Sequence, residues 1–271
     1  MKPPIPYFGS KSTLAPQIVT RLPEHGHYVE PFCGSLAVLM AKPRSQSETV
    51  NDIDGDLMCF WRMLRDRPDD LERACALTPH SRSELEAAWS LEGADDLERA
   101  RRVFVQLTQG RGSTRRSSGW RHYTSPGVHG MQHSISAYVR RLAPAAERLA
   151  EVTLESRPAL DVIERYGKSP DVLLYVDPPY LAATRSSGRY VNEMGEASEH
   201  HELLDALVGA SASVVLSGYG SELYAERLAG WDRVEMAAYA SNAGVNNTRR
   251  TEVLWSNRPI SEPDLFAEGW S

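Results

Sequence analysis

An apolar run that ends in an acid, two prolines and an aromatic ring is the stretch of this sequence best suited to chemistry. The first five residues of Val172 to Tyr180 predict a buried strand of a parallel sheet, in which both faces are covered. Pro178 and Pro179 cannot extend a strand, because they lack a donor and fix φ. Asp177 and Tyr180 are therefore expected on a rigid turn at the strand's carboxyl end, where α/β sheets bind ligands.

This turn offers two hydrogen-bond acceptors and a flat ring. Asp177 and the Pro178 carbonyl can accept hydrogen bonds from an amino group, and Tyr180 can stack on a planar base. A stiff turn would hold these groups in place while a chemical group is transferred. Asp and Pro are also ordinary turn residues, so a tight turn without a function is the alternative.

A second turn of chemical interest follows a short predicted strand near the N-terminus. The strand ends at Glu30, the turn contains Phe32 and Gly34, and a helix of small and apolar residues follows. Such a turn lets the backbone approach a ligand closely and directs helix amide groups towards it. A strand–helix unit without a ligand is the alternative.

An acid follows the next predicted strand. In nucleotide-binding sheets, a carboxylate about twenty residues beyond the glycine turn holds a ribose diol. We assign this role to Asp52, and we expect Ile53 to pack against an adenine ring. Asp54 and Asp56 are interpreted as helix caps instead.

Composition places the chain among ordinary globular proteins. Its 271 residues suit one large domain or a domain with an insertion. No apolar run is long enough to span a bilayer, and the first residues do not form a signal peptide, so we expect a cytoplasmic protein. The three cysteines lack CxxC spacing, and His200 and His201 lack HExxH spacing. We therefore expect no metal site, and we interpret both histidines as exposed on a helix.

Positive charge is concentrated in residues 99–146. This segment contains nine arginines and no acidic residue, and its formal charge is +9, so that the rest of the chain carries −15 against a total of −6. Its predicted features are a Gly/Ser/Arg loop and an amphipathic helix, Ser136 to Leu149, with Arg140 and Arg141 exposed. A basic patch on an acidic body is typical of a protein that binds nucleic-acid phosphates. A solvated helix face with a basic loop is the alternative.

Three motifs together resemble one enzyme family. Asp177 to Tyr180 resembles the catalytic motif of the Dam-like (D12 class) adenine-specific DNA N6-methyltransferases. Glu30 to Gly34 resembles their S-adenosylmethionine motif, although Leu36 stands where a second glycine is usual. Tyr7 to Lys11 resembles their N-terminal cofactor segment. The resemblance covers most of the chain, from about Tyr7 to about Ser256.

The resemblance implies an α/β fold. Its elements are a Rossmann-like S-adenosylmethionine-dependent methyltransferase sheet, an antiparallel C-terminal hairpin and a helical target-recognition insert. We assign residues 1–56 and 151–258 to a discontinuous catalytic domain, 57–150 to the insert and 259–271 to a tail. The polar segment 181–195 is interpreted either as a loop that closes over a flipped base or as a surface loop without that role.

The implied function is site-specific methylation of adenine N6 in double-stranded DNA, with the adenine flipped out and stacked on Tyr180. Alternatives are methylation of cytosine N4 or an RNA base, and a catalytically silent DNA-binding protein. We expect a monomer, with a dimer as the alternative. A role in restriction–modification, as a separate enzyme or in a phage is left open.

The expected roles of individual residues follow from these motifs. Asp161 matches a position that holds the cofactor adenine, although it could equally cap a helix over 162–166. The expected catalytic residues are Asp177, Pro178, Pro179 and Tyr180. The expected cofactor contacts are Tyr7, Lys11, Glu30, Phe32, Gly34, Asp52, Ile53, Asp161 and Asp177. The expected DNA contacts are Arg111, Arg115, Arg116, Arg121 and Tyr123.

Overall fold

The computed structural model describes residues 1–122, 130–180, 194, 196–239 and 249–260. The predictions for Tyr123, for nearly all of the segment 181–195 and for the tail beyond residue 260 lie outside these residues. The strands are β1 (His27–Glu30), β2 (Ser47–Asn51), β3 (Thr153–Glu155), β4 (Val172–Val176), β5 (Ser213–Gly218), β6 (Asp232–Tyr239) and β7 (Arg249–Ser256).

The seven strands form one sheet in the order β3-β2-β1-β4-β5-β7-β6. Strands β1 to β5 pair in parallel, and β7 runs antiparallel to both β5 and β6. The sheet grows in one direction from β1 to β3 and in the other from β4 onwards, so the strand order reverses between β1 and β4. These two strands lie side by side, with Val29 opposite Leu174. A ligand-binding crevice is expected outside the carboxyl ends of strands at such a switch point. The predicted Rossmann-like class with its antiparallel C-terminal hairpin is confirmed.

The central strand β4 is buried along its whole length. Leu173 and Tyr175 enter the hydrophobic core on one side of the sheet, whereas Val172, Leu174 and Val176 enter the core on the other side. Both faces must therefore be apolar, which explains why the sequence of β4 shows no alternation. The two cores hold this strand rigidly, and the Asp177 turn begins directly at its end.

Helices cover both faces of the sheet, and most of them lie between β2 and β3. Those outside this interval are α1 (Ala15–Val19), α2 (Ala37–Ala41), α9 (Ala159–Tyr166), α10 (Ala197–Val208) and α11 (Glu222–Arg227). Those within it are α3 (Gly55–Asp66), α4 (Pro68–Leu77), α5 (Arg82–Ala88), α6 (Asp96–Gln109), α7 (Met131–Val139) and α8 (Leu142–Leu149). None of the described helices is long and apolar enough to span a membrane.

Two details of this helical layer concern the sequence predictions. Asp54 caps α3, since its carboxylate accepts hydrogen bonds from the backbone N–H groups of Asp56 and Leu57. The prediction of a single helix over residues 136–149 is wrong, because α7 ends at Val139 and a separate helix, α8, begins at Leu142. Pro144 explains the break: its ring would clash with the Arg140 carbonyl in a continuous helix, and it has no N–H to donate.

Candidate active site

A cavity of about 280 Å³ opens at the carboxyl ends of β1, β2 and β4. This volume is close to the lower end of small-molecule sites, roughly 300 Å³. The fold brings eight of the nine predicted cofactor residues to its walls, together with Pro179; the eight are Tyr7, Lys11, Glu30, Phe32, Gly34, Asp52, Ile53 and Asp177. These residues come from four separate segments, so the sheet is what assembles them.

Asp161 is the predicted cofactor residue that does not line this cavity. It lies exposed in the first turn of α9, where its carboxylate faces the positive end of the helix dipole. It is also not the N-cap, because α9 begins at Ala159 and Pro158 occupies that position. Pro158 and Leu160 line the cavity in its place.

The turn after β1 is closed tightly around Gly34. Gly34 has φ 45°, and a Cβ atom at this position would lie 3.1 Å from the Tyr7 ring. The Trp61 indole donates a hydrogen bond to the Gly34 carbonyl at 3.1 Å, and the Gly34 N–H donates to Asp52 at 3.1 Å. A side chain here would be strained by the positive φ and would crowd the Tyr7 ring. The backbone therefore forms part of the cavity wall.

Leu36 adopts the conformation for which the usual glycine is suited. Its φ of 58° and ψ of 33° are left-handed, and its side chain is fully buried in the core beneath the turn. A left-handed leucine is strained by about 1–2 kcal/mol, and burial of the side chain opposes that cost. The turn therefore keeps its geometry without the second glycine.

Two carboxyl groups on the cavity wall, those of the buried Glu30 and the half-buried Asp52, have raised pKa values. Burial raises the pKa of Asp52 to about 6, while hydrogen bonds from the Asp54 and Gly34 N–H groups oppose the shift. Burial raises the pKa of Glu30 to about 8, although the Tyr28 hydroxyl and the Leu39 N–H donate to its Oε1. Glu30 is thus mostly protonated at neutral pH, whereas Asp52 is mostly ionised.

Lys11 joins the N-terminal segment to the Asp177 turn. Its ammonium group donates to both Asp177 oxygens, at 2.6 and 2.7 Å, and to the Tyr180 hydroxyl at 2.5 Å. The Asp177 side chain keeps 18% of its surface exposed, whereas that of Lys11 keeps 5%. Burial raises the pKa of Asp177 to about 6; the Lys11 charge opposes this shift and the Glu252 charge adds to it.

The Tyr180 side chain is held in place by contacts of both its hydroxyl group and its ring. Its hydroxyl donates to Glu252 Oε1 at 2.9 Å, and the Lys11 ammonium lies 5.0 Å from its ring centre. The Tyr219 ring lies beside it, with 4.4 Å between ring centres and a 48° tilt. The residue is buried, with 9% of its surface exposed. Glu252 and Tyr219 were both missed by sequence reasoning.

Several arginines predicted to form a basic surface are neutralised by carboxylates. The Arg115 side chain is 5% exposed and pairs with Asp54 at 2.5 Å and Asp56 at 2.6 Å. Arg99, Arg101 and Arg102 also pair with acidic residues, which are Asp56, Glu84 and Glu98. The +9 segment is therefore much less positive at its surface than its composition indicates.

The expected DNA contacts divide into two groups. The Arg115 side chain is buried in its ion pairs, so the prediction that it contacts phosphates at the surface is wrong. Arg121 is half-buried, and its guanidinium group donates a hydrogen bond to Ser113 Oγ at 2.8 Å. Arg111 and Arg116 are exposed and stay predicted contacts. On the helices, Arg140 is exposed and Arg141 is half-buried.

The histidine prediction also needs a correction. His200 is fully buried, with its Nδ1 2.8 Å from the Tyr224 hydroxyl and its Nε2 3.0 Å from the Met194 carbonyl. His201 is exposed, as predicted. A helix that packs against the sheet buries one of two adjacent positions, because successive residues point about 100° apart.

Comparison with known proteins agrees with the geometry of this site. Residues 7–90 match the model of the D12 class N6 adenine-specific DNA methyltransferases. The predicted resemblance is confirmed. The matched segment contains the Tyr7 to Lys11 loop, the Gly34 turn and Asp52, and it ends before the Asp177 turn.

Two further comparisons cover nearly the whole chain. The chain is 23% identical to the type II methyltransferase M1.LlaDCHI of Lactococcus lactis subsp. cremoris over 276 residues, which are 95% of each protein. A solved structure, the precorrin 8W decarboxylase of Methanobacterium thermoautotrophicum, aligns with a TM-score of 0.37 at 12% identity over 94% of this chain and 95% of the other.

Proposed function

We propose that the protein is a site-specific DNA methyltransferase that transfers a methyl group from S-adenosylmethionine to adenine N6 in double-stranded DNA. The observation that carries the proposal is the position of Asp177, whose partly exposed carboxylate lies on the same cavity as the Gly34 turn and Asp52. A hydrogen-bond acceptor for an amino group thus adjoins a wall suited to a nucleoside. The D12 class match supports the choice of adenine N6.

The cavity residues fit a sulfonium nucleoside. Ile53 is 51% exposed beside Asp52, and this open apolar side chain suits a planar ring next to a ribose diol. S-adenosylmethionine, when bound, supplies the electrophilic methyl group.

Asp177 and the Pro178 carbonyl would receive the target amino group. Both are acceptors, so they would hold the two N6 hydrogens and orient the nitrogen lone pair towards the methyl carbon. Transfer would form the N–C bond as the methyl–sulfur bond breaks, the electron pair of that bond would stay on sulfur to give a neutral thioether, and the N6 proton would pass through Asp177 to solvent. Positioning and electrostatics would supply most of the rate, because neither a covalent enzyme intermediate nor a strong base is needed.

The DNA would lie across the mouth of the cavity. The target adenine must leave the base stack to reach Asp177, and the Tyr180 ring at the end of the turn is the proposed stacking surface. Arg111 and Arg116 are the exposed arginines proposed to contact phosphates. Residues 57–150 are the proposed recognition insert.

The test uses the purified protein, labelled S-adenosylmethionine and unmethylated genomic DNA, followed by nucleoside analysis. N6-methyladenine is the expected product, and mapping its positions gives the recognition sequence. N4-methylcytosine, or transfer to RNA alone, would overturn the choice of substrate. Cofactor binding without transfer to any of these would favour a silent DNA-binding protein. Asp177→Ala is the control, expected to abolish transfer while retaining cofactor binding.

A further inference from the structure

Glu252 brings a buried carboxylate to the Asp177 turn from the C-terminal hairpin. It lies in β7, the strand that runs antiparallel to β5, and it is 3% exposed. One of its oxygens, Oε1, accepts hydrogen bonds from the Tyr180 hydroxyl at 2.9 Å and from Ser217 at 2.8 Å. The same oxygen lies 3.6 Å from the Lys11 ammonium. The three partners come from three different segments of the chain.

Lys11 therefore lies between two carboxylates in different environments. Asp177, at 18% exposure, faces the cavity, whereas the Glu252 side chain, at 4%, faces the interior. A buried ammonium group must be compensated by charge and hydrogen bonds. With Asp177 as its sole counter-ion, Lys11 would bind that carboxylate more strongly and compete with any amino group approaching it. At 3.6 Å, Glu252 Oε1 is beyond hydrogen-bond distance of the ammonium group but within ion-pair distance, so it is a second counter-charge for Lys11.

We propose that Glu252 is a positioning residue for methyl transfer: it holds the Lys11 ammonium and the Tyr180 hydroxyl, so that Asp177 keeps acceptor electron pairs for the adenine amino group. This role rests on the proposed function. Ser217 fixes the Glu252 carboxylate, and the antiparallel hairpin delivers it to the site. The C-terminal hairpin thus completes the site rather than only closing the edge of the sheet.

The charge of Glu252 has a consequence that a purely structural residue would lack. The ionisable groups that act on Asp177 are Lys11 from the N-terminal segment, Tyr180 from its own turn and Glu252 from β7. The Asp177 charge in turn raises the pKa values of three groups that face it, which are Glu30 in β1, Tyr175 in β4 and Tyr224 in α11. Glu252 raises the pKa of Asp177, and Lys11 lowers it. Removing the Glu252 charge should therefore lower that pKa and extend activity to lower pH.

The decisive variant is Glu252→Gln, which keeps the size of the side chain and an acceptor for Tyr180 and Ser217. We expect kcat to fall by roughly 10- to 100-fold, since small displacements of reacting groups have effects of this size. The affinity for S-adenosylmethionine should stay within about twofold of the parent's, because Glu252 does not line the cofactor cavity. The acid limb of the kcat profile should move to lower pH.

Two further variants serve as controls. Ser217→Ala removes one hydrogen bond to Glu252 but no charge, so the acid limb should stay where it is in the parent. Glu252→Asp keeps the charge and should also keep that limb, while the shorter side chain lowers kcat. Each variant is compared per mole of folded protein, as measured by its thermal unfolding.

Three results would overturn the proposal. A folded Glu252→Gln protein with the parent's kcat and pH profile would remove Glu252 from the site. A variant that loses kcat with an unmoved acid limb, matching Ser217→Ala, would reduce Glu252 to a structural role. If the parent enzyme methylates adenine and either of these results is seen, the proposed function stays intact and only the role of Glu252 falls. A parent enzyme that methylates no nucleic acid overturns the proposed function, and the role of Glu252 falls with it.

Discussion

Arg115 and Asp54 form a buried ion pair, with 2.5 Å between Nε and Oδ2 and less than a tenth of either side chain exposed. Arg115 also pairs with Asp56 and donates to Gln106. Because Asp54 caps α3 directly after β2, the pair fixes the turn that carries Asp52. A short segment of the proposed recognition insert is thereby fastened to the cofactor side of the cavity. The Phe8 N–H, which donates to the Ser113 carbonyl at 2.8 Å, strengthens this connection.

Replacing Arg115 by Met should therefore affect stability and cofactor binding rather than DNA binding. The substitution leaves two carboxylates without their buried partner, which costs about 3–5 kcal/mol of unfolding free energy. The displaced turn should also weaken S-adenosylmethionine binding through Asp52. Urea unfolding and a cofactor titration measure both effects.

Arg116→Met is the matched control, because Arg116 is the adjacent residue and is exposed. It should change stability by no more than about 0.5 kcal/mol. It should weaken DNA binding and reduce the dependence of log K on log salt concentration by about 0.9. If this slope decreases more in the Arg115 variant than in the Arg116 variant, Arg115 contacts a phosphate and the prediction is wrong.

Glycine at position 36 should destabilise the protein, although glycine is the usual residue of the motif. Leu36→Gly relieves about 1–2 kcal/mol of left-handed strain. It also removes a fully buried side chain, for which comparable leucine truncations cost about 2–5 kcal/mol. We expect a net loss of about 1–3 kcal/mol in the free energy of unfolding, with little change in cofactor affinity. Denaturant unfolding of Leu36→Met, which preserves both volume and strain, is the comparison; a Leu36→Gly protein as stable as the parent would show that strain dominates.

The decrease of kcat at acid pH should reflect the protonation of Asp177. At saturating cofactor and DNA, kcat should fall at acid pH, because a protonated Asp177 loses acceptor capacity for the amino group. The limb should lie below the pKa of about 6 that Asp177 has without ligands, since the bound cofactor is a cation. Asp52, with a pKa also raised to about 6, should instead affect the cofactor dissociation constant in this range. Steady-state profiles between pH 5 and 9 separate kcat from that constant.

Asp52→Asn distinguishes these two carboxyl groups. This variant should bind S-adenosylmethionine weakly at every pH, and its remaining kcat should keep the acid limb. If the substitution abolishes the acid limb of kcat, the limb belongs to Asp52 and the assignment to Asp177 is wrong.

The sequence is informative where the signal is local. The prolines after β4 and the glycine after β1 mark the ends of strands, and the reversal of strand order brings both turns to one crevice. For that reason, Asp177, Gly34 and Asp52 could all be placed on one site without a structure. The carboxyl ends of the strands β1 and β4 follow from the same signals.

Other parts of the site depend on pairing between distant segments. Glu252 reaches Tyr180 through the antiparallel hairpin, and the one available signal was a carboxylate within the apolar run that ends at Trp255. Arg115 was counted as surface charge because composition does not reveal that its partners lie about 60 residues earlier, in the β2–α3 turn. The role predicted for Asp161 rests on its match to a position of the family motif, and the fold turns this residue towards solvent.

Glu30 should lose its proton when the cofactor binds. Its pKa of about 8 leaves it mostly protonated at pH 7, and the positive charge of S-adenosylmethionine in the same cavity favours the carboxylate. Binding at pH 7 should therefore release close to one proton, and the release should diminish above about pH 8. Titration calorimetry in buffers of different ionisation enthalpy counts the protons. Glu30→Gln should bind with little release, because Asp52 is already mostly ionised at this pH; equal release from parent and variant would assign the proton to another group.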